Sequence, residues 1–242
     1  MNGNKRESMM LGEERVLVIA AHPDDEVLGC GGTMARYRAL GCSVRVVFLA
    51  EGVTARFSPE QFSSPEVREQ SARRNANALS AMAALGIDAD HVFLSERPCC
   101  RLDQVPLIDL TKEIESHIRD FLPTRLFTHS ADDPNVDHGV AHRAVLPAVR
   151  PLAGQSLRAV FAFEVLSSTE WNPLKPFAPT VFHDISLNME QKIAAMAAYE
   201  SEMLPAPHPR SPEVLRALAC YRGAQAGVSY AEGFALIRGL NL

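Results

Sequence analysis

The sequence contains no apolar run approaching the roughly 18 residues of a membrane-spanning helix, and its first residues, MNGNKRESMMLGEE, have no apolar leader core. A cytoplasmic location is therefore expected. Positive charge is also scarce. The chain carries 24 Lys+Arg against 29 Asp+Glu, a net charge of -5, and its longest basic run is Arg73-Arg74. That excludes a nucleic-acid surface and favours a small-molecule partner. Cysteine is too sparse for a disulfide framework: Cys30, Cys42, Cys99, Cys100 and Cys220 are an odd set without framework spacing, which predicts reduced thiols. The adjacent Cys99 and Cys100 cannot easily chelate one ion together. Internal repeats, low-complexity tracts and a G-x-G-x-x-G dinucleotide fingerprint are all missing. What is plentiful is apolar side chain, 47% of 242 residues, enough for one substantial core. The expectation is one domain over residues 1–242, with 1–14 a flexible N-terminus and 166–242 the substrate rim and C-terminal part.

Val16 to Thr33, VLVIAAHPDDEVLGCGGT, organises the rest. Val16 to Ala20 is a continuous apolar, β-branched-rich run, the pattern of a strand buried on both faces. It ends abruptly in His22, Pro23, Asp24, Asp25 and Glu26. Gly29, Gly31 and Gly32 then lead into a helical pattern. A second buried strand, Val44 to Ala50, follows at the spacing of a right-handed parallel crossover. Glu51 to Pro65 reads as a loop on the same sheet edge, a candidate pocket rim. Further strands are expected over His91 to Leu94, Arg125 to Thr128, Arg158 to Val165, Thr180 to Ile185 and Tyr230 to Ile237. Helices are expected over Glu66 to Leu85, Leu107 to Phe121, the stretch after Gly139, Asn188 to Tyr199 and Pro212 to Tyr221. His117 falls off the apolar stripe of its helix, so it reads as solvated, and Pro147 should bend or shorten its own.

The fold class this predicts is α/β: a Rossmann-like, doubly wound, mostly parallel sheet ordered 3-2-1-4-5 with extra C-terminal strands, in three α/β/α layers. Strands one and four would be neighbours where the order reverses. The polar cluster after strand one would then face the one after strand four, HSADDPNVDHG from His129 to Gly139, across one crevice.

A lone His-Asp pair at a strand end is ordinarily a turn; the second cluster argues for a metal. His22 and Asp25, three apart on a tight turn, can both reach one ion, and His138 can supply a third ligand from across the crevice. Three nitrogen or oxygen ligands plus one water is the arrangement of a catalytic zinc site. Asp24, beside the water, would be the general base, and Asp137 is placed to orient an imidazole. His142 shares the helical face of His138 and is a weaker ligand candidate. His129 reads as a hydrogen-bonded loop residue, and Asp133 as either that or a ligand. Apart from Cys30, no cysteine is near either cluster.

The motifs A-H-P-D-D-E (Ala21 to Glu26), L-G-x-G-G-T (Leu28 to Thr33) and D-P-x-x-D-H (Asp133 to His138) resemble those of the LmbE-like, PIG-L superfamily of zinc-dependent de-N-acetylases. The resemblance spans most of the first 150 residues. It implies one zinc ion on His22, Asp25 and His138, Asp24 as general base, an N-acetylated amino sugar as substrate and acetate as product. Relatives often assemble into trimers or hexamers, which makes a homo-oligomer an expectation. The sequence departs from the glucosaminyl-inositol type at one place: a histidine three residues before the last ligand is replaced by Asn135. An amide can donate to an oxyanion but cannot deliver a proton at neutral pH. The leaving-group proton would then come from Asp24 or from His208.

The last third mixes aromatic, charged and small residues in loops, as a sugar-binding rim would. Trp171 can stack on a pyranose face and Arg210 can meet a phosphate or carboxylate bidentately. Arg56 and Arg68 are the arginines after strand two chosen as substrate contacts, with Arg73 and Arg74 nearby. Two rival readings stand beside the deacetylase: an amidase acting on a larger sugar-thiol conjugate, and a non-catalytic nucleotide or nucleotide-sugar binding module.

Overall fold

The computed structural model describes residues 14–240. The expected flexible N-terminus lies outside the described residues except for Glu14, which is buried with its carboxylate against Thr124 and Arg125. Strand β1 (Arg15–Ala20) is the centre of the sheet, and its apolar side chains are shielded from solvent. Val16, Val18 and Ala20 enter one core, Leu17 and Ile19 the other. A strand's successive side chains point to opposite faces, so an all-apolar run demands helical cover on both.

Parallel strands β2 (Ser43–Phe48) and β4 (Arg125–His129) flank β1. Beyond β2 lies β3 (Val92–Phe93), and beyond β4 lies β5 (Ala159–Phe163). Antiparallel β7 (Ala231–Gly239) and then β6 (Val181–Asp184) complete the order β3-β2-β1-β4-β5-β7-β6. Helices α1 (Asp25–Ala39), α2 (Pro65–Ala84), α5 (Met189–Ala197) and α6 (Pro212–Ala226) cover one face, and α3 (Leu107–Phe121) and α4 (Val136–Ala148) the other. This is the expected doubly wound, three-layer fold.

Several local readings need correction. The glycines do not precede α1 but lie inside it, around a non-helical break at Cys30. There the freed N–H groups of Gly32 and Thr33 donate to Glu232 of β7 at 2.9 and 2.7 Å, and Lys192 pairs with the same carboxylate at 2.6 Å. A carboxylate is what the start of a helical segment favours. The glycines permit close packing: a Cβ on Gly29 would lie 2.3 Å from the Phe163 ring, and one on Gly32 2.7 Å from Ile185. Pro147 sits in the last turn of α4, which stops at Ala148. His117 is not simply solvated; its ring meets Phe93 edge-on at 4.6 Å. Helix α6 runs past Tyr221 to Ala226, where Gly227 adopts the left-handed stop at φ 75°.

His183 of β6 is buried among aromatic rings, 4.8 Å from that of Phe234, and burial pushes its pKa down to about 3. The folded state keeps it neutral, whereas the unfolded chain binds a proton below its ordinary value near 6.5. Its contribution is thus intact above pH 6.5 and falls by roughly 1.4 kcal/mol per pH unit as pH drops from there towards 3. Denaturant titrations at pH 7 and pH 5 should show about 2 kcal/mol more acid loss in the wild type than in His183→Leu. Equal losses would refute this assignment.

Candidate metal centre

The carboxyl ends of β1 and β4 adjoin where the strand order reverses, and a crevice of about 250 Å³ opens there, lined by both polar clusters. Open α/β sheets keep their ligands at this point. After Ala20 the chain turns tightly: the Asp25 carboxylate accepts the His22 N–H at 2.8 Å, and Asp24 is held at φ 114°. Non-glycine residues seldom adopt such a conformation, and where they do a functional site is often the cause. Across the crevice Asn135 caps α4, its side chain accepting the Asp137 N–H at 3.0 Å, and the first turn carries His138 inward.

His22, Asp25 and His138 each present a donor atom, all within 4.8 Å of one another and all buried. Asp25 Oδ2 is 3.3 Å from His22 Nδ1 and 3.3 Å from His138 Nε2. His138 Nε2 is enclosed without a hydrogen-bond partner. Burial disfavours charge on His138, yet Asp25 and Asp133 outweigh it and lift its pKa to about 9. Two imidazole nitrogens, a carboxylate oxygen and a field that attracts positive charge fit a divalent ion of zinc's type.

Each imidazole is steadied from behind. His22 Nε2 donates at 2.8 Å to Asp137, which also accepts the N–H groups of Cys100 and Leu102 at 2.5 and 2.8 Å. Asp137 therefore faces His22, 115 residues away in sequence, and not its neighbour His138. Asp133 lies 3.1 Å from His138 Nδ1 and accepts the hydroxyls of Ser168 and Thr169. Carboxylates so placed fix ring orientation. Asp137→Asn is expected to weaken metal binding by roughly 10–100-fold, measured by competition with a chelator of known affinity. Unaltered affinity would remove Asp137 from this role.

His129 and His142 are otherwise engaged. His129 Nε2 accepts the Ala21 N–H at 2.8 Å, and the ring stacks on His138 at 4.0 Å. His142 Nδ1 donates to the His129 carbonyl at 2.8 Å.

Asp24 stands beside this donor set in an arginine cage. Arg74 and Arg210 both donate to its Oδ2, at 3.0 and 2.9 Å, while no donor reaches Oδ1 among the described residues. Burial raises the Asp24 pKa, with Arg74 acting against it. Glu202 ties the cage together, meeting Arg56, Arg74 and Arg210 at 2.6, 2.5 and 2.6 Å. Burial opposes its charge, but the arginines, Arg74 first, hold its pKa at about 2. Arg74 is readable in principle, since it falls in the buried stripe of α2 with Val67, Ala78 and Ala81. Glu202, in an irregular segment, leaves no such trace.

Of the other sequence candidates, Asn135, Arg56, Arg210 and Trp171 line the crevice, Trp171 at 65% exposure. Arg68 does not: it is exposed on α2, one residue beyond the buried Val67. His208 is outside the lining too, and its Nδ1 accepts the Arg210 N–H at 3.2 Å. Conversely, Cys99 and Cys100 do line the crevice, because the turn that holds Asp137 carries them there.

A buried nitrogen-and-oxygen donor set with a carboxylate alongside, at the switch point of a doubly wound sheet, is the outline of a hydrolytic metal site. Residues 17–149 match the family model described as PIG-L, GlcNAc-PI de-N-acetylase. The chain belongs to this family and is an amidohydrolase. A 1D-myo-inositol 2-acetamido-2-deoxy-alpha-D-glucopyranoside deacetylase from Mycobacterium sp. (strain JLS) is 28% identical over 81% of this chain and 77% of its own length. Among solved structures, a conserved protein of Thermus thermophilus superposes with a TM-score of 0.71 at 28% identity, over 94% of this chain and 96% of that one. The N,N'-diacetylchitobiose deacetylase of Pyrococcus horikoshii shares the fold, with a TM-score of 0.72 at 20% identity over 99% and 94% of the two chains. Among the described residues, no helix is long and apolar enough to cross a membrane.

Proposed function

We propose that this protein is a zinc-dependent deacetylase, which hydrolyses the acetamide of an N-acetylated amino sugar or its conjugate to acetate and a free amine. The single observation that carries the reading is the convergence of His22, Asp25 and His138 on one point of a crevice that Asp24 and Asn135 also line. The curated relative from Mycobacterium supports the sugar class. One zinc ion held by those three residues would polarise the amide carbonyl and bring a water's pKa down to about 7.

The chain's own groups do the rest. Asp24 Oδ1, free of donors, takes a proton from the attacking water. Asn135 uses Oδ1 to cap α4, so its Nδ2 protons are the ones available to a tetrahedral oxyanion. His208 is engaged with Arg210 away from the lining, so the leaving amine receives its proton from Asp24, which has just collected one. Trp171 offers a flat apolar face at the rim for the ring. The free thiols accord with a cytoplasmic location as part of the same proposal.

The test is acetate release from N-acetylglucosamine derivatives by purified protein of known metal content, with and without chelator. Chelator-sensitive acetate release with about one equivalent of zinc supports the reading. Metal-free protein that retains full turnover contradicts it.

A further inference from the structure

Two neighbouring side chains at the crevice have no part in the chemistry above. Cys99 and Cys100 both line it, yet neither belongs to the donor set of His22, Asp25 and His138. Their settings differ. Cys99 is buried and anchored: its N–H donates to the Thr54 hydroxyl at 2.8 Å and to Glu51 at 3.1 Å, and its Sγ accepts the Ala55 N–H at 3.1 Å. Cys100 is exposed, with a left-handed backbone at φ 58°.

The two thiols interact directly. A hydrogen bond from Cys99 lowers the pKa of Cys100 against the opposing effect of burial, and the same bond, together with burial, raises that of Cys99. An accessible thiol biased towards thiolate, with a second thiol held against it, is the pairing of an oxidant-sensitive cysteine and its resolving partner. Cys220 on α6 is exposed too, but has no cysteine beside it in sequence.

The pair is linked to the metal centre through the backbone. The Cys100 N–H donates at 2.5 Å to Asp137 Oδ2, the same oxygen that accepts His22 Nε2. A bridge between the thiols closes a ring that contains the Cys99–Cys100 peptide unit, and therefore this N–H. Because Cys99 is fixed at its own N–H and at Sγ, ring closure has to turn the peptide and Cys100. Asp137 then loses a donor, and His22 loses its steady carboxylate. Adjacent Cα atoms are about 3.8 Å apart, short of the usual disulfide span, so such a bridge carries strain and is easily reduced again.

We propose that Cys99 and Cys100 form a reversible redox site, at which a hydroperoxide converts the pair to a vicinal disulfide and so loosens the hold of His22 on its ion. The Cys100 thiolate attacks the peroxide: an S–O bond forms, the O–O bond breaks, and an alcohol or water leaves with a proton. Cys99 Sγ then attacks Cys100 Sγ, forming S–S and breaking S–O, and hydroxide departs as water with the Cys99 proton. The two sulfurs give up the two electrons that the peroxide gains. Two equivalents of a small thiol reverse the change and are themselves oxidised to a disulfide. The redox site stands independently of the deacetylase reading; its effect on the ion rests on the metal-centre reading.

The test treats zinc-loaded protein with a few equivalents of hydrogen peroxide and follows thiol state and zinc affinity, the latter by competition with a chelator. The tryptic peptide ending at Arg101 holds these two cysteines and no other. In the wild type it should lose two hydrogens in mass before Cys220 reacts. Zinc affinity should fall about tenfold or more, within the range that a carboxylate behind a ligand is worth, and a thiol reductant should restore both. Cys99→Ser should stop at a Cys100 sulfenic acid that dimedone traps, and neither it nor Cys100→Ser should show the peroxide-dependent fall. Peroxide that leaves both thiols open to alkylation, or that attacks Cys220 first, overturns the redox site. A vicinal disulfide with unaltered zinc affinity overturns its link to the ion. Reduced protein that binds no zinc but still forms the disulfide refutes the metal-centre reading and leaves the redox site standing.

Discussion

His138→Ala should purify with less than about a tenth of an equivalent of zinc and with acetate release at least about 1000-fold below wild type. Residues that only steady a ligand are worth roughly 10–100-fold in metal affinity, whereas His138 is proposed as a direct donor, from one of the two chain segments. Its removal leaves His22 and Asp25 without the third donor of the cluster, since His129 Nε2 already accepts the Ala21 N–H. The fold should survive, since β4 is fixed by its pairing with β1 and β5 and α4 by its apolar face. Circular dichroism and Tm within a few degrees of wild type would establish that. Metal content by mass spectrometry and turnover should fall together. An active His138→Ala protein with full zinc would mean that the ion sits elsewhere.

The second large effect is expected from Asp24→Asn, which should retain zinc near one equivalent and lose roughly 10²–10⁴ in kcat, the usual worth of a positioned general base. Asparagine suits the test because it tolerates positive φ better than most residues, and Asp24 sits at φ 114°. Arg74 keeps Glu202 and the Pro23 carbonyl as partners. The loss should appear in kcat more than in KM. A variant with wild-type kcat would transfer the proton-handling role to another group; one that loses its zinc would recast Asp24 as a support of the metal.

The strand ends are legible in the sequence because a buried parallel strand is a continuous apolar run, and its abrupt change to ionisable residues marks the carboxyl edge. That one signal, seen twice, is enough to bring His22, Asp25 and His138 together. The features that escape are those decided by distant partners. Glu232 completes α1 from 200 residues away, so the glycine-rich stretch reads as a lead-in to the helix. Asp137 pairs with His22 and not with its neighbour, because the first turn of α4 sends successive side chains in different directions. Cys99 and Cys100 reach the crevice because their N–H groups are held by distant side chains, Cys99 by Glu51 and Thr54 and Cys100 by Asp137, which leave no periodic trace in the sequence. Arg68 and Arg74 look alike on paper; their positions around α2 put one in water and the other in the core.

The central claim is that two histidines and a carboxylate from remote segments hold one ion, with the neighbouring thiols uninvolved. X-ray absorption at the zinc K edge tests this most directly. The expected spectrum fits two imidazole nitrogens and oxygen ligands at about 2.0–2.2 Å, with no sulfur shell. A sulfur scatterer at about 2.3 Å, or a fit to a single imidazole, would contradict it.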